Sequence, residues 1–508
     1  MAATSNKTIA KNTIFLYARM LLVMVVGLYT SRIVLRELGV TDFGIYNVVG
    51  SIVTSLSFLS VSLISGTSRY FAFYIGKNDV KELHKYYKLS VTCFILLSVI
   101  ILIIAETIGL WFINTQLTIN NERMTAANWV YQFSVISFIL SILANSSRSI
   151  IISYEKMSVY AYIGVVQALL KLLIAYLLIV STWDKLIFYS FLLLLVSFLD
   201  FIFYVIYSNM KYPLICKYSF YFEKKSFKEF VSYSGWILFG TLSEVFRGQG
   251  INVLLNIFFG PVVNAARGIS YQVRAAVLQF VDNFSMAARP QITKHYAAGD
   301  FLAMKDLVYS ASRLCYYLVL ALSVPIIIQM PYVLKLWLGE YPDYTVLFTR
   351  LVLIIILVES LASPLDTAIV ASGKVKYFQV FTGGFLLLNL PFSYLALKFG
   401  YGPESAMVIA IVMAILSHGI RMFFGKVNAS IGFGDYSKSV LVYCFVVTVL
   451  IFLPLWILYK YFYFITLIGL LFYTTACISW AGIVSYSIGI PKNERKSINN
   501  LIKKKLHI

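Results

Sequence analysis

Arg267, Tyr271, Arg274, Leu278, Asp282, Ser285 and Arg289 follow one another at steps of four, three, four, four, three and four residues. Such steps fall on one face of an α-helix. A guanidinium is a planar fork that makes paired, charge-assisted hydrogen bonds to phosphate oxygens, so this face suits a phosphate-bearing ligand. The apolar block just before it carries Glu244, Arg247, Asn252 and Asn256, and a later block carries Glu359, Ser363 and Asp366 on one face. Arg32 and Arg69 lie in the two earliest blocks. The candidate anion ligands are therefore Arg274, Arg267, Arg247, Arg289, Arg32 and Arg69. Asp282, Glu244, Glu359 and Asp366 are candidates for binding a proton or sodium ion, or for acting as counter-charges to the arginines.

Structural readings compete with each of these. Glu244 and Arg247, three residues apart, can pair along one helix. Arg267, Arg289 and Arg69 lie near block ends, where arginines snorkel to lipid headgroups. His418 sits toward a block end and reads as an ordinary interfacial residue. The five cysteines, Cys93, Cys216, Cys315, Cys444 and Cys477, form no CxxC pair. They indicate neither a metal site nor a disulfide framework.

The elements that hold these residues are apolar. The chain has 508 residues, 60% hydrophobic and 13% charged, against about 25% charged in soluble domains. The apolar residues come in blocks of roughly twenty or more, the length of a membrane-spanning helix. About fourteen such spans are expected, near 12–36, 44–75, 89–113, 127–153, 158–180, 186–209, 231–258, 265–297, 309–330, 346–371, 377–397, 404–425, 439–459 and 464–489. The first is too long for a signal-peptide core and reads as a retained helix. The formal net charge is +20, from 42 Lys+Arg against 22 Asp+Glu. Placing both termini in the cytoplasm puts roughly twenty-three basic residues inside and about five outside, as the positive-inside rule requires. The basic excess thus marks membrane topology and anionic lipid headgroups, not nucleic acid. Many of the 37 Tyr and 39 Phe fall at span ends, where an interfacial aromatic belt forms.

A repeat organises the spans. LRELGVTDFGIYNVVG (35–50) and SGTSRYFAFYIGKND (65–79) correspond to LNIFFGPVVNAARGIS (255–270) and AARPQITKHYAAGD (287–300). Gly39 falls on Gly260 and Asp79 on Asp300 at a shared offset of 221 residues. The expected organisation is all-α and integral to the membrane, two six-helix bundles related by this repeat. Residues 1–209 form the first bundle, 210–230 a basic cytoplasmic linker, 231–425 the second bundle, 426–489 two additional spans and 490–508 a basic cytoplasmic tail. Internal repeats are common in transporters, where access to the substrate alternates.

The stretch RELGVTDFGIYN, through Arg36, Leu38, Gly39, Gly44 and Tyr46, resembles the "R-x-L-G-x-x-x-x-G-x-Y" signature of the polysaccharide transporter family. These are O-antigen (Wzx-type) lipid-linked oligosaccharide flippases of the multidrug/oligosaccharidyl-lipid/polysaccharide exporter superfamily. Chain length, span count and mid-chain linker extend the resemblance over the whole chain. It implies a V-shaped pair of bundles around a central cavity. The cargo it implies is a glycan on a polyprenyl pyrophosphate, passed from the cytoplasmic to the outer face of a bacterial inner membrane. It also implies coupling to a proton or sodium ion, no cofactor, and partners in polysaccharide assembly.

Two other functions fit less well. A multidrug or metabolite antiporter of the same superfamily needs acidic groups for cationic cargo, and here arginine is in surplus. A membrane-embedded glycan polymerase or glycosyltransferase needs a large outer loop or soluble domain, yet the longest outer loops are only about 114–126 and 331–345.

Overall fold

The computed structural model describes residues 2–116, 121–338, 340–461, 466–492 and 494–496 and contains no strand among them. Among the described residues, eleven helices are long and apolar enough to cross a membrane. Three more long helical stretches, 40–76, Lys224–Phe259 and Pro261–Ala297, carry more polar side chains. With these three, the long helical stretches among the described residues number fourteen. In chain order these are α1 (Lys11–Gly39), α2 (40–76), α3 (Val80–Thr115), α4 (Asn121–Ser153), α5 (Met157–Val180), α6 (Lys185–Lys211) and α7 (Lys224–Phe259), followed by α8 (Pro261–Ala297), α9 (Phe301–Leu338), α10 (Thr345–Ala371), α11 (Lys376–Lys398), α12 (Ser405–Ala429), α13 (Phe433–Lys460) and α14 (Ile468–Gly489).

The chain divides into two compact units, Thr8–Leu238 and Phe239–Ile508, the second also taking in Met1–Lys7. In the first, α2 packs on α3, and α6 on both α4 and α5. In the second, α8 packs on α9 and α10, and α10 on α12. α13 and α14 join this second unit because α9 packs against both of them. Across the basic segment 210–230, α6 runs to Lys211, a one-turn helix covers Pro213–Cys216, and α7 starts at Lys224. The segment is docked as well as connected. His84 bonds the Ile215 carbonyl oxygen at 2.7 Å, Lys85 pairs with Glu223 at 2.8 Å, and Ile215 and Cys216 are buried.

The repeat is visible in backbone geometry. Gly39 has φ 75° and ψ 169°; Gly260 has φ 77° and ψ −172°. Both occupy a region that side chains with a Cβ rarely adopt, and both separate a helix from the next. One turn of chain before the following helix, Asn78 (φ 55°) matches Gly299 (φ 76°). Asp79 then caps α3 by accepting from the Glu82 N–H at 3.0 Å, as Asp300 caps α9 from the Ala303 N–H at 3.1 Å. Each cap satisfies one of the orphan donors at a helix start. α9 bends at Gln329, between Pro325 and Pro331. Pro331 has no N–H for the Ile327 carbonyl four residues back, and Arg350 Nε donates to that oxygen at 2.9 Å instead.

Candidate functional site

Within the second unit, α7, α8 and α10 bring five of the ten candidate residues into one cluster. Arg274 Nη2 on α8 donates to Glu359 Oε2 on α10 at 2.5 Å. Arg247 Nη2 on α7 donates to Glu359 Oε1 at 3.4 Å and to Glu244 one turn earlier. Arg267 on α8 donates to Asn252 of α7 and lies over the Tyr271 ring at 4.2 Å. Arg274 approaches the same ring at 5.7 Å. Tyr271 thus serves as a shared aromatic plate, a favourable cation–π arrangement. The helical spacing explains this: residues 267, 271 and 274 are successive members of one face.

The charges do not cancel. Three guanidiniums meet two carboxylates, Glu359 between two arginines and the half-exposed Glu244. Arg267 is only 4% exposed, its contacts are with the Asn252 amide and the Tyr271 ring and with no carboxylate, and its buried Nε has no hydrogen-bond partner. A buried charge with no counter-charge is costly unless something neutralises it. Arg247, Arg267, Tyr271, Arg274, Asn389 and Met407 line a cavity of about 10 Å³, room for one water-sized species.

The remaining stripe members part from this cluster. Ser285 is buried, bonded to Ser363 of α10 at 3.1 Å and close to Cys315 of α9 at 3.7 Å. Asp282 and Arg289 are exposed. Asp366 leaves the Glu359 face and pairs with Arg421 of α12 at 3.0 Å. Arg421 also donates to Ser417. His418 is buried.

In the first unit, Arg32 is exposed on α1. Arg69 sits among the Tyr70, Phe73 and Tyr233 rings at 4.7–5.2 Å. Arg148 of α4 pairs with Asp200 of α6 at 3.1 Å, bonds Asn145 and lies over Tyr204. The "R-x-L-G" segment builds the α1–α2 elbow. Glu37 pairs with Arg36 and Lys185, both at 3.0 Å. Asp42 pairs with Arg123, which also reaches Asp184 at 2.5 Å. Burial opposes ionisation of Asp184, but Arg123 and the Ile187 and Leu186 N–H groups hold its carboxyl below the ordinary value. Leu38 is buried, and the Tyr46 ring meets Tyr189 at 5.0 Å. These signature residues therefore shape the elbow. The role of Asn252 and Tyr271 as bridges was not separable in sequence from ordinary polar decoration, since it depends on which helix lies alongside.

Among the described residues no group of His, Cys, Asp and Glu is arranged to hold a metal ion.

Comparison with known proteins gives a consistent frame. The polysaccharide biosynthesis protein family matches residues 9–296. No curated protein matches the chain. Among solved structures, an outward-facing multidrug resistance MATE family transporter of the MOP superfamily aligns with a TM-score of 0.72 at 14% identity, over 84% of this chain and 96% of that one. A MATE structure in the bent conformation aligns with a TM-score of 0.74 at 14% identity, over 86% and 97%. A MOP superfamily transporter from Pyrococcus furiosus, described as having a binding pocket of reverse polarity, aligns with a TM-score of 0.68 at 13% identity, over 83% and 96%. At these identities the likeness shows the fold.

Proposed function

The chain belongs to the polysaccharide biosynthesis protein family and has the multi-pass transporter fold of the MOP superfamily, and from this premise we propose that it is a lipid-linked oligosaccharide flippase. Its cargo is an oligosaccharide on a polyprenyl pyrophosphate, passed from the cytoplasmic to the outer face of the bacterial inner membrane by alternating access. Both termini lie in the cytoplasm, and a proton or sodium ion drives the cycle. Partners in polysaccharide assembly supply and receive the glycan.

One observation carries the reading: Arg267 is a buried guanidinium without a carboxylate, beside Arg247 and Arg274. A site with surplus positive charge in a low-dielectric setting selects an anion and rejects a cation. A pyrophosphate bears the charge that the cluster lacks. Its oxygens can take over the bonds that Glu359 makes to Arg274 and Arg247, so binding exchanges one set of charge-assisted bonds for another. The same surplus disfavours cationic drugs as cargo.

The test is transport of a fluorescent polyprenyl-pyrophosphate disaccharide by the protein in liposomes. Arg274→Ala and Arg267→Ala abolish translocation while the protein still purifies as a folded species. Wild-type rates in both variants end the reading.

A further inference from the structure

His418 lies on α12 one turn before Arg421 and is 6% exposed. Neither ring nitrogen has a hydrogen-bond partner. Its ring meets Tyr436 at 5.7 Å, and the Tyr436 hydroxyl is already committed to the Leu361 carbonyl at 3.1 Å. Buried polar groups are almost always bonded, and each exception calls for a physical reason. A structural histidine would be held by a donor or acceptor, and a packing residue at this position would be a phenylalanine or leucine.

The internal repeat supplies a control inside the same chain. At the offset of 221 residues, Arg421 corresponds to Asp200, Asp366 to Asn145 and His418 to Ser197. Both units join the fourth and sixth helices of the repeat by an ion pair: Arg148–Asp200 at 3.1 Å and Asp366–Arg421 at 3.0 Å. The polarity is reversed between them. In the first unit the cation is on α4 and the carboxylate on α6, and Ser197 simply bonds the Leu193 carbonyl at 3.1 Å. In the second unit the cation is on α12, one turn from a titratable ring. A proton on His418 would set two cations three residues apart on one helix, where like charges repel. Arg421 is already held by Asp366 of α10.

We propose that His418 is a proton-binding site whose occupancy is read by the Asp366–Arg421 pair. The proton is taken from solution and binds an imidazole nitrogen. The new imidazolium repels Arg421, three residues on, and so bears on the α10–α12 bridge that Arg421 makes with Asp366. The surrounding charged and titratable groups are few. Arg421 shares the helix. Asp366 comes from α10, and Glu359, also on α10, lies within Coulombic reach of Arg421. Arg289 of α8 lies within reach of Asp366, and Tyr436 is contributed by α13. α11 meets α12 through Phe378 and Phe381 against Phe424. The site's use as the coupling step rests on the transporter reading above; the binding of the proton does not.

The experiment uses the full chain in lipid bilayers, with ¹⁵N-labelled histidine and solid-state NMR across a pH series. The chain has four histidines, and the His418 signal is the one lost in His418→Gln. The expected result is reversible conversion of that signal from neutral to protonated on acidification. Asp366→Asn then requires about tenfold more protons for half conversion, and Arg421→Gln about tenfold fewer. The two variants act in opposite directions, so one suffices if the other does not fold. A His418 signal that stays neutral until the chain unfolds, or that titrates identically in the folded variants, overturns the proposal. Wild-type transport by Arg267→Ala and Arg274→Ala overturns the flippase reading alone and leaves this result standing.

Discussion

Glu359→Gln removes the one carboxylate on which two guanidiniums converge, at 2.5 Å from Arg274 and 3.4 Å from Arg247. Each pair has charge centres roughly 4 Å apart, where the attraction is about 4 kcal/mol at an effective dielectric near 20. Recovering the carboxylate's hydration offsets part of that sum. Breaking a buried pair by removing one partner costs about 3–5 kcal/mol. Because the Glu359 side chain is 25% exposed, water screens part of the effect and about 2–4 kcal/mol is expected. The substitution also leaves three cations facing Glu244 alone, which raises the appetite for an anion. Thermal unfolding in detergent should therefore show Glu359→Gln melting well below wild type. Inorganic pyrophosphate should raise its melting temperature more than that of wild type; at a hundredfold its Kd the gain is about 2.7 kcal/mol. Adding Arg267→Met should remove that extra gain. Equal melting of Glu359→Gln and wild type, or an equal pyrophosphate effect on both, would refute the reasoning.

Gly39→Ala and Gly260→Ala should destabilise by similar amounts, about 1–3 kcal/mol each, in thermal melts. A Cβ at either position meets open space, so only the backbone conformation opposes it. Arg148→Met strands the buried Asp200 carboxylate, whose side chain is 6% exposed, and should cost about 3–5 kcal/mol. Arg148→Met/Asp200→Leu should regain most of that loss in the same melts. Finally, Lys85, with Ser226 and Tyr221, holds the Glu223 carboxyl down at about 2 from an ordinary 4.5. A lowered carboxylate value means that the linker's anchorage is fully present above 4.5 and lost as pH falls through about 2. Pepsin cleavage within 210–230 should rise only at that acid extreme, and Lys85→Gln should open the lysines of the same segment to trypsin at neutral pH.

Much of the architecture was legible in the residues themselves because bilayer thickness imposes a length on each apolar block. The long helices that carry more polar side chains are α2, α7 and α8, and α7 and α8 hold the arginines that meet around Glu359. The repeat was legible because both copies need the same two devices: a glycine able to take positive φ at 39 and 260, and an aspartate to cap the next helix at 79 and 300.

The sequence alone settled that Arg267, Tyr271 and Arg274 share a face, since helical periodicity is a local property of the chain. It could not settle which charge answers which. Glu359 was open to being an ion site or a counter-charge, and Asp366 looked like its companion on the same face. Packing of α7, α8 and α10 gave Glu359 to two arginines, left Arg267 without a carboxylate, and turned Asp366 to Arg421 on α12. His418 shows the same limit from the other side, a bland residue in sequence and a buried, unbonded imidazole in the fold. The physical reason is range: periodicity acts over a few residues, whereas an ion pair joins side chains that lie tens or hundreds of positions apart and meet only after the helices have packed.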